Sequence, residues 1–253
     1  MSIKSGVLAF ASQRVPQLSK RVLASAGYTL HPSRLAREDE YSVWRADTAQ
    51  RQDRAWQPLV AEAKAGRPRD DIAALYRALD PLADIPELLE VGCGGGYYSE
   101  IIAHRYPTTH YRGLDISPAM IDLAHQLYPG REFVVGSAYE LPYDDRSQSV
   151  VVDGVALIHM PSWPRAIQEY ARVARDRVVL HGLTISVDAP TTRFAKYAYG
   201  QPSLEFVFAR ADIADACFAE GLELLDVIPG LDYDLGPFLG IPSVEETWVL
   251  DVG

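Results

Sequence analysis

The sequence predicts an α/β chain in which short apolar strands alternate with helices, and three stretches carry that reading. In the first, Leu88, Leu89, Glu90 and Val91 run into Gly92, Gly94, Gly95 and Gly96, and the chain restarts as a helix at Tyr97. In the second, about 20 residues further on, an apolar stretch ends at Asp115 and is followed by Ile116, Ser117 and Pro118, a helix start. In the third, Val150, Val151 and Val152 form a continuous apolar run that ends at Asp153 and Gly154. Short continuous runs of this kind mark strands buried on both faces.

The remaining elements follow in chain order. The first 37 residues carry Lys4, Arg14, Lys20, Arg21, Arg34 and Arg37 and no acid, against a formal net charge of -10 for the whole chain. Such a basic arm suits the acidic body of its own chain. It also suits an anionic membrane or glycan surface. Pro16 interrupts any long amphipathic helix there, which favours the intramolecular contact. Residues 37–66 interleave charges with Tyr41, Val43, Trp44, Trp56, Leu59 and Val60, a pattern for helices whose aromatic face packs on something. A further helix is predicted over residues 70–79. Asp80-Pro81 and Ile85-Pro86 then mark a boundary that divides residues 1–80 from residues 81–253.

Beyond the three leading stretches, Phe133, Val134 and Val135 read as a strand, and residues 162–174 as a helix with Trp163-Pro164 in its first turn. Residues 177–182 read as a short buried strand and residues 184–208 as a less regular segment rich in Tyr and Phe. A helix over 211–220 stops at Gly221, and residues 222–228 and 247–252 form a terminal strand pair.

Glycines belong where the backbone takes positive φ or touches a ligand without Cβ interference, and the helix that follows offers unpaired N–H groups to an anion. A dinucleotide fingerprint would place its third glycine at position 97, which is Tyr97. The spacing is instead Glu90-x-Gly92-x-Gly94-x-Gly96, with Asp115 at the end of the next strand. On these residues the chain resembles the class I S-adenosylmethionine-dependent methyltransferases, from about residue 86 to its C-terminus.

That resemblance implies a Rossmann-like fold: a seven-stranded, mostly parallel, doubly wound sheet with helices on both faces. The terminal strand pair would form its antiparallel edge, and an N-terminal helical extension, residues 1–80, would act as a lid over the cofactor domain, residues 81–253. The implied cofactor is S-adenosyl-L-methionine, leaving as S-adenosyl-L-homocysteine. Gly92, Gly94 and Gly96 would approach its methionine and ribose portions, Glu90 would orient the loop, Asp115 would take the ribose diol and Ile116 would pack on adenine. Ser137 and Ala138 would meet the adenine edge, while Asp153, Gly154 and Val155 would border the methionine end. The family usually carries an acid where Ser137 stands. A hydroxyl still accepts the adenine amino group, without charge assistance, and Glu140 is a stand-in.

The implied reaction moves a methyl group to an oxygen or nitrogen of a small molecule or glycan by in-line displacement. His159, at the end of the fourth strand, is the candidate base, with His181 as its weaker rival. Each also reads as a histidine satisfied by a backbone carbonyl. Tyr28, Tyr41, Trp44 and Trp56, with Tyr197 and Tyr199 from the irregular segment, are candidates for an acceptor pocket, the alternative being ordinary packing.

Other classes fall away. A sequence pI near 5.1 disfavours a nucleic-acid partner. Two cysteines, Cys93 and Cys217, point to a reducing, cytoplasmic setting, and no run approaches the length of a membrane span. The six histidines lack zinc spacing, so no metal is expected. The alternative function is a cofactor-binding protein without transferase activity that docks a partner through its basic arm. Acceptor identity and oligomeric state stay open.

Overall fold

The computed structural model describes residues 27–31, 44, 46–82, 84–198 and 201–253. The N-terminal part contributes strand β1 (Tyr28–Thr29) and helices α1 (Ala46–Lys64) and α2 (Asp70–Leu79). Then come β2 (Glu87–Val91), α3 (Tyr97–Arg105), β3 (His110–Asp115), α4 (Pro118–Leu127), β4 (Glu132–Val135) and β5 (Gln148–Gly154). A 3-10 turn (Leu157–His159) leads to α5 (Trp163–Val173), β6 (Ala174–Ser186), β7 (Thr192–Ala198) and β8 (Gln201–Ala209). The chain closes with α6 (Arg210–Ala219), β9 (Leu222–Pro229), α7 (Gly236–Leu239) and β10 (Ser243–Val252).

Strands β4, β3, β2, β5 and β6 lie side by side and parallel, and β10 and then β9 continue the sheet antiparallel. This is the seven-stranded core expected from the sequence, an α/β Rossmann-like sheet. Alternation along its strands builds a core on each face. Leu88, Val150 and Val152 face a cluster that includes Ile72, Leu75, Leu79, Tyr98 and Ile101. Leu89, Val91 and Val151 face Ile167, Tyr170, Phe208, Ile213 and Trp248. The first cluster runs without a break from α1 and α2 into the sheet, so these helices are packed into the core despite the prolines between them and β2.

The sheet is wider than seven strands. Strand β5 stops at Gly154, opposite His181, while β6 runs on to Ser186. The edge left open is taken by β8, which pairs parallel with β6 at Ile185 and Ser186, and β7 and β1 extend it antiparallel. Residues 184–208 are therefore a hairpin and the end of a 13-residue strand, not an irregular segment. Gly182, Thr184 and Ser186 hid the extension of β6. The inward charges of Lys196 and Glu205 hid the hairpin, because they break the apolar alternation by which strands are read.

Local chemistry fixes the helix starts beside the site. Gly96 precedes α3 at φ 81°, and a Cβ there would lie 2.6 Å from the Phe133 ring, so only glycine lets the helix approach β4. Ser117 caps α4, its hydroxyl accepting from the Met120 N–H and donating to the Trp44 carbonyl at 2.6 Å. Among the described residues no helix is long and apolar enough to cross a membrane.

Candidate functional site

A cavity of about 330 Å³ opens at the carboxyl ends of β2, β3, β4 and β5, the place where such sheets take ligands. Gly92, Gly94, Asp115, Ile116, Ser137 and Ala138 line one part of it. Gly154, Val155, His159, Lys196 and Glu205 line another, and Trp44, Gln52 and Trp56 from the N-terminal part cover it.

Asp115 receives two backbone donors, the Gly94 N–H at 2.9 Å on Oδ2 and the Ser117 N–H at 2.8 Å on Oδ1. Burial raises its pKa, and the two N–H groups hold part of that rise back. Each oxygen keeps a lone pair for a ligand hydroxyl. Ser137 lines the cavity too, its hydroxyl accepting from the Tyr139 N–H at 3.2 Å.

The other two acids stand behind the wall. Glu90 is buried, accepts from the Tyr111 hydroxyl and does not line the cavity. A Cβ on Gly154 would lie 2.3 Å from Glu90 Oε1 and 3.1 Å from its Cγ, so the acid packs directly against the backbone of residue 154. Burial pushes Glu90 up to about 8; the Tyr111 hydroxyl draws it down, and Asp115 and Asp153 push it up. Asp153 accepts from the N–H groups of Ala156 and Leu157 at 2.9 and 3.0 Å and from the Tyr170 hydroxyl at 2.8 Å. It thereby pins the loop that carries His159, and burial raises it to about 6. Asp153 acts on the cavity through the backbone that it holds, and Glu90 through its contact with Gly154.

His159 lines the cavity with Trp44 edge-on to its ring at 5.1 Å. Its Nδ1 lies 2.9 Å from the Leu204 carbonyl oxygen, so in the neutral ring Nδ1 carries the proton and Nε2 the lone pair. Burial lowers its pKa below the ordinary value, against opposing pulls from Glu205 and the Leu204 carbonyl. His181 is placed elsewhere. It is fully buried, with Nε2 2.9 Å from the Tyr98 hydroxyl and Nδ1 2.8 Å from Thr247 Oγ1. Burial lowers it to about 4. With both nitrogens engaged inside the core, His181 has no access to the cavity and its candidacy as a base is withdrawn.

Gly96 also falls outside the cavity lining, its role being the contact with Phe133. Tyr28 stacks on Phe238 at 4.6 Å, and Tyr197 is 57% exposed on the outer face of the hairpin. Neither lines the cavity. Tyr41 and Tyr199 lie outside the described residues.

Gln52, Lys196 and Glu205 carried no sequence signal as wall residues, whereas Trp56 is among the aromatic candidates. Gln52 Oε1 and Trp56 Nε1 are buried without a hydrogen-bond partner, an arrangement that leaves one acceptor and one donor for a ligand. Lys196, its side chain 20% exposed, forms an ion pair with the buried Glu205 at 2.8 Å. Together with Asp115 and the apolar surface of Ile116 and Met120, the cover groups suit an elongated ligand with a flat heterocycle, a diol and a charged end. Among the described residues no group of three His, Cys, Asp or Glu side chains is placed to hold a metal ion.

Residues 89–181 match a family model described as a methyltransferase domain. The phthiotriol/phenolphthiotriol dimycocerosates methyltransferase of Mycobacterium leprae (strain TN) is 42% identical over 91 residues, which is 35% of this chain and 33% of that protein. The demethylmenaquinone methyltransferase of Chlorobaculum tepidum is 33% identical over 90 residues, 36% of this chain and 37% of that protein. The matching stretch thus spans about a third of the length of these curated relatives. Among solved structures, the magnesium protoporphyrin IX methyltransferase of Synechocystis PCC 6803, with S-adenosylmethionine bound, superposes with a TM-score of 0.58 at 17% identity. That likeness covers 86% of this chain and 99% of the other, and it establishes the fold.

Proposed function

We propose, from the premise that residues 89–181 belong to the methyltransferase domain family, that this protein is an S-adenosylmethionine-dependent methyltransferase acting on an oxygen or nitrogen of a small-molecule acceptor. The observation that carries the reading is that one cavity is lined both by Asp115 beside the Gly92 and Gly94 loop and by His159, whose Nδ1 is engaged by the Leu204 carbonyl. The names of the two relatives refer to dimycocerosates and demethylmenaquinone, which supports an acceptor that is not a nucleic acid.

Asp115 would hold the ribose hydroxyls, Ile116 the adenine face, and Ser137 and Ala138 the adenine edge. The backbone at Gly92, Gly94, Gly154 and Val155, with Gln52 Oε1, would hold the methionine end. When bound, the cofactor supplies a methyl group already activated on a sulfonium. The chain then has to align acceptor, methyl carbon and sulfur, and alignment of this kind contributes on the order of 7–11 kcal/mol in favourable systems. His159 Nε2 would take the acceptor proton where that acceptor is a hydroxyl. Trp44 and Trp56 would cover the cavity and exclude water from it.

Calorimetric titration with S-adenosylmethionine and S-adenosylhomocysteine tests the cofactor, and transfer of labelled methyl to added acceptors tests the reaction. Absence of binding to either compound overturns the reading.

A further inference from the structure

Hairpin β7–β8 presents a charged pair to the cavity from a single face. Lys196 opposes Ser203 and Phe194 opposes Glu205 in the register, so alternation gathers these four on one side and turns Tyr197 to the other. Lys196 Nζ lies 2.8 Å from Glu205 Oε2 and donates to the Tyr233 hydroxyl at 3.3 Å. Glu205 is 2% exposed. Ser203 Oγ lies 3.3 Å from His159 Nδ1, so the ion pair and the imidazole belong to one cluster.

An ion pair that takes a carboxylate such as Glu205 out of water is a poor way to gain stability, because well-packed apolar residues of similar volume do as well or better. Its place in the cavity wall beside His159 points to a use in binding. We propose that Lys196, held by Glu205 and Tyr233, receives the oxygen of an acidic hydroxyl acceptor, a phenol or an enol, as its anion. This inference rests on the methyltransferase reading and narrows its acceptor from any oxygen or nitrogen to one class.

Two features argue for that class. Burial makes His159 a weaker base than an ordinary histidine. It takes a proton from a hydroxyl with a pKa of about 10 far more readily than from an alkyl alcohol, whose pKa is close to the value of about 15.7 for water. Burial pushes the Lys196 ammonium towards neutrality, but Glu205, Tyr233 and Tyr28 outweigh it and keep the charge in place. With one N–H on Glu205 and one on Tyr233, the ammonium keeps a third for an oxyanion, a bond that an attacking amine, its single lone pair aimed at the methyl carbon, cannot accept. The step balances: the hydroxyl proton passes to His159 Nε2, an oxygen lone pair forms the bond to the methyl carbon, and the carbon–sulfur pair leaves on sulfur as the neutral thioether. His159 then returns its proton to water.

The test is a spectrophotometric titration of 4-nitrophenol bound to the protein in the presence of S-adenosylhomocysteine. The bound probe is expected to ionise about one pH unit or more below the free probe. The shift is kept in Lys196→Arg and lost in the charge-neutral double variant Lys196→Met with Glu205→Gln. Competition on the unaltered protein reads the same property independently of how well the double variant folds: phenol displaces the probe, and cyclohexanol and cyclohexylamine do not. No binding, binding as the neutral phenol, a shift that survives in a folded double variant, or displacement by cyclohexylamine overturns the proposal. Calorimetry with S-adenosylhomocysteine on the same preparation separates the two levels: failure there removes the methyltransferase reading, whereas intact cofactor affinity without a phenolate shift removes only the acceptor class.

Discussion

The Nδ1 of His159 lies 2.9 Å from the carbonyl oxygen of Leu204, a contact that ties the loop after β5 to the hairpin strand β8. It sets the tautomer of the ring and so the nitrogen left to act as a base. His159→Gln is expected to lower kcat by about 10²–10⁴-fold for a hydroxyl acceptor while cofactor affinity stays unchanged. Because burial lowers the His159 pKa, the neutral, basic form is populated down to a pH below the ordinary histidine value, and the acid limb of kcat/KM should lie below pH 6.5. A variant with full activity and an unaltered acid limb would reassign His159 to holding the hairpin.

Asp115 links the glycine loop to the start of α4 through its two backbone donors. Asp115→Ala should weaken S-adenosylmethionine binding by roughly 1–3 kcal/mol, the loss expected for hydrogen bonds to a charged group. Unchanged affinity by titration calorimetry would take the ribose role from it.

Glu90 sets a pH dependence of stability with a definite sign. Its pKa is raised in the folded protein to about 8, so between the ordinary carboxylate value and that pH the folded state keeps a proton that the unfolded state has released. Its contribution to stability therefore falls as pH rises through that window. Glu90→Gln keeps an acceptor for the Tyr111 hydroxyl and removes the titration. Relative to the parent protein, its Tm is expected to be higher near pH 8 than near pH 5. Equal Tm differences at the two pH values would show that Glu90 is ionised in the fold.

Gly96→Ala tests the packing of α3 on β4. At φ 81° and with the Phe133 ring 2.6 Å from the new Cβ, the substitution combines backbone strain with overpacking. Overpacking alone costs about 1–3 kcal/mol. Urea unfolding should show at least that loss, and Phe133→Leu in the same chain should recover part of it. A neutral result would mean that the loop relaxes without cost.

The sequence by itself determined the order of the core elements and the local anchors of the cavity. The strand, glycine loop and helix around Gly92, and the acid at the end of β3, are short-range features whose positions follow from backbone geometry. Gly92, Gly94, Asp115, Ile116, Ser137, Ala138, Gly154 and Val155 sit at strand ends, and strand ends meet at one edge of a parallel sheet.

Tertiary structure alone decided which side chains face the cavity and which stand behind it. Asp115 faces it whereas Glu90 and Asp153 hold its walls from within, because Tyr111 and Tyr170 occupy their carboxylates from neighbouring elements. His181 and His159 look alike as histidines at strand ends. Tyr98 and Thr247, 83 and 66 residues away, engage the first, whereas Leu204 leaves the second one nitrogen free to act. The Lys196–Glu205 pair exists only through the register of a hairpin whose inward charges violate the apolar pattern. Local pattern reports the backbone, and partnership between distant side chains is set only when the sheet closes around them.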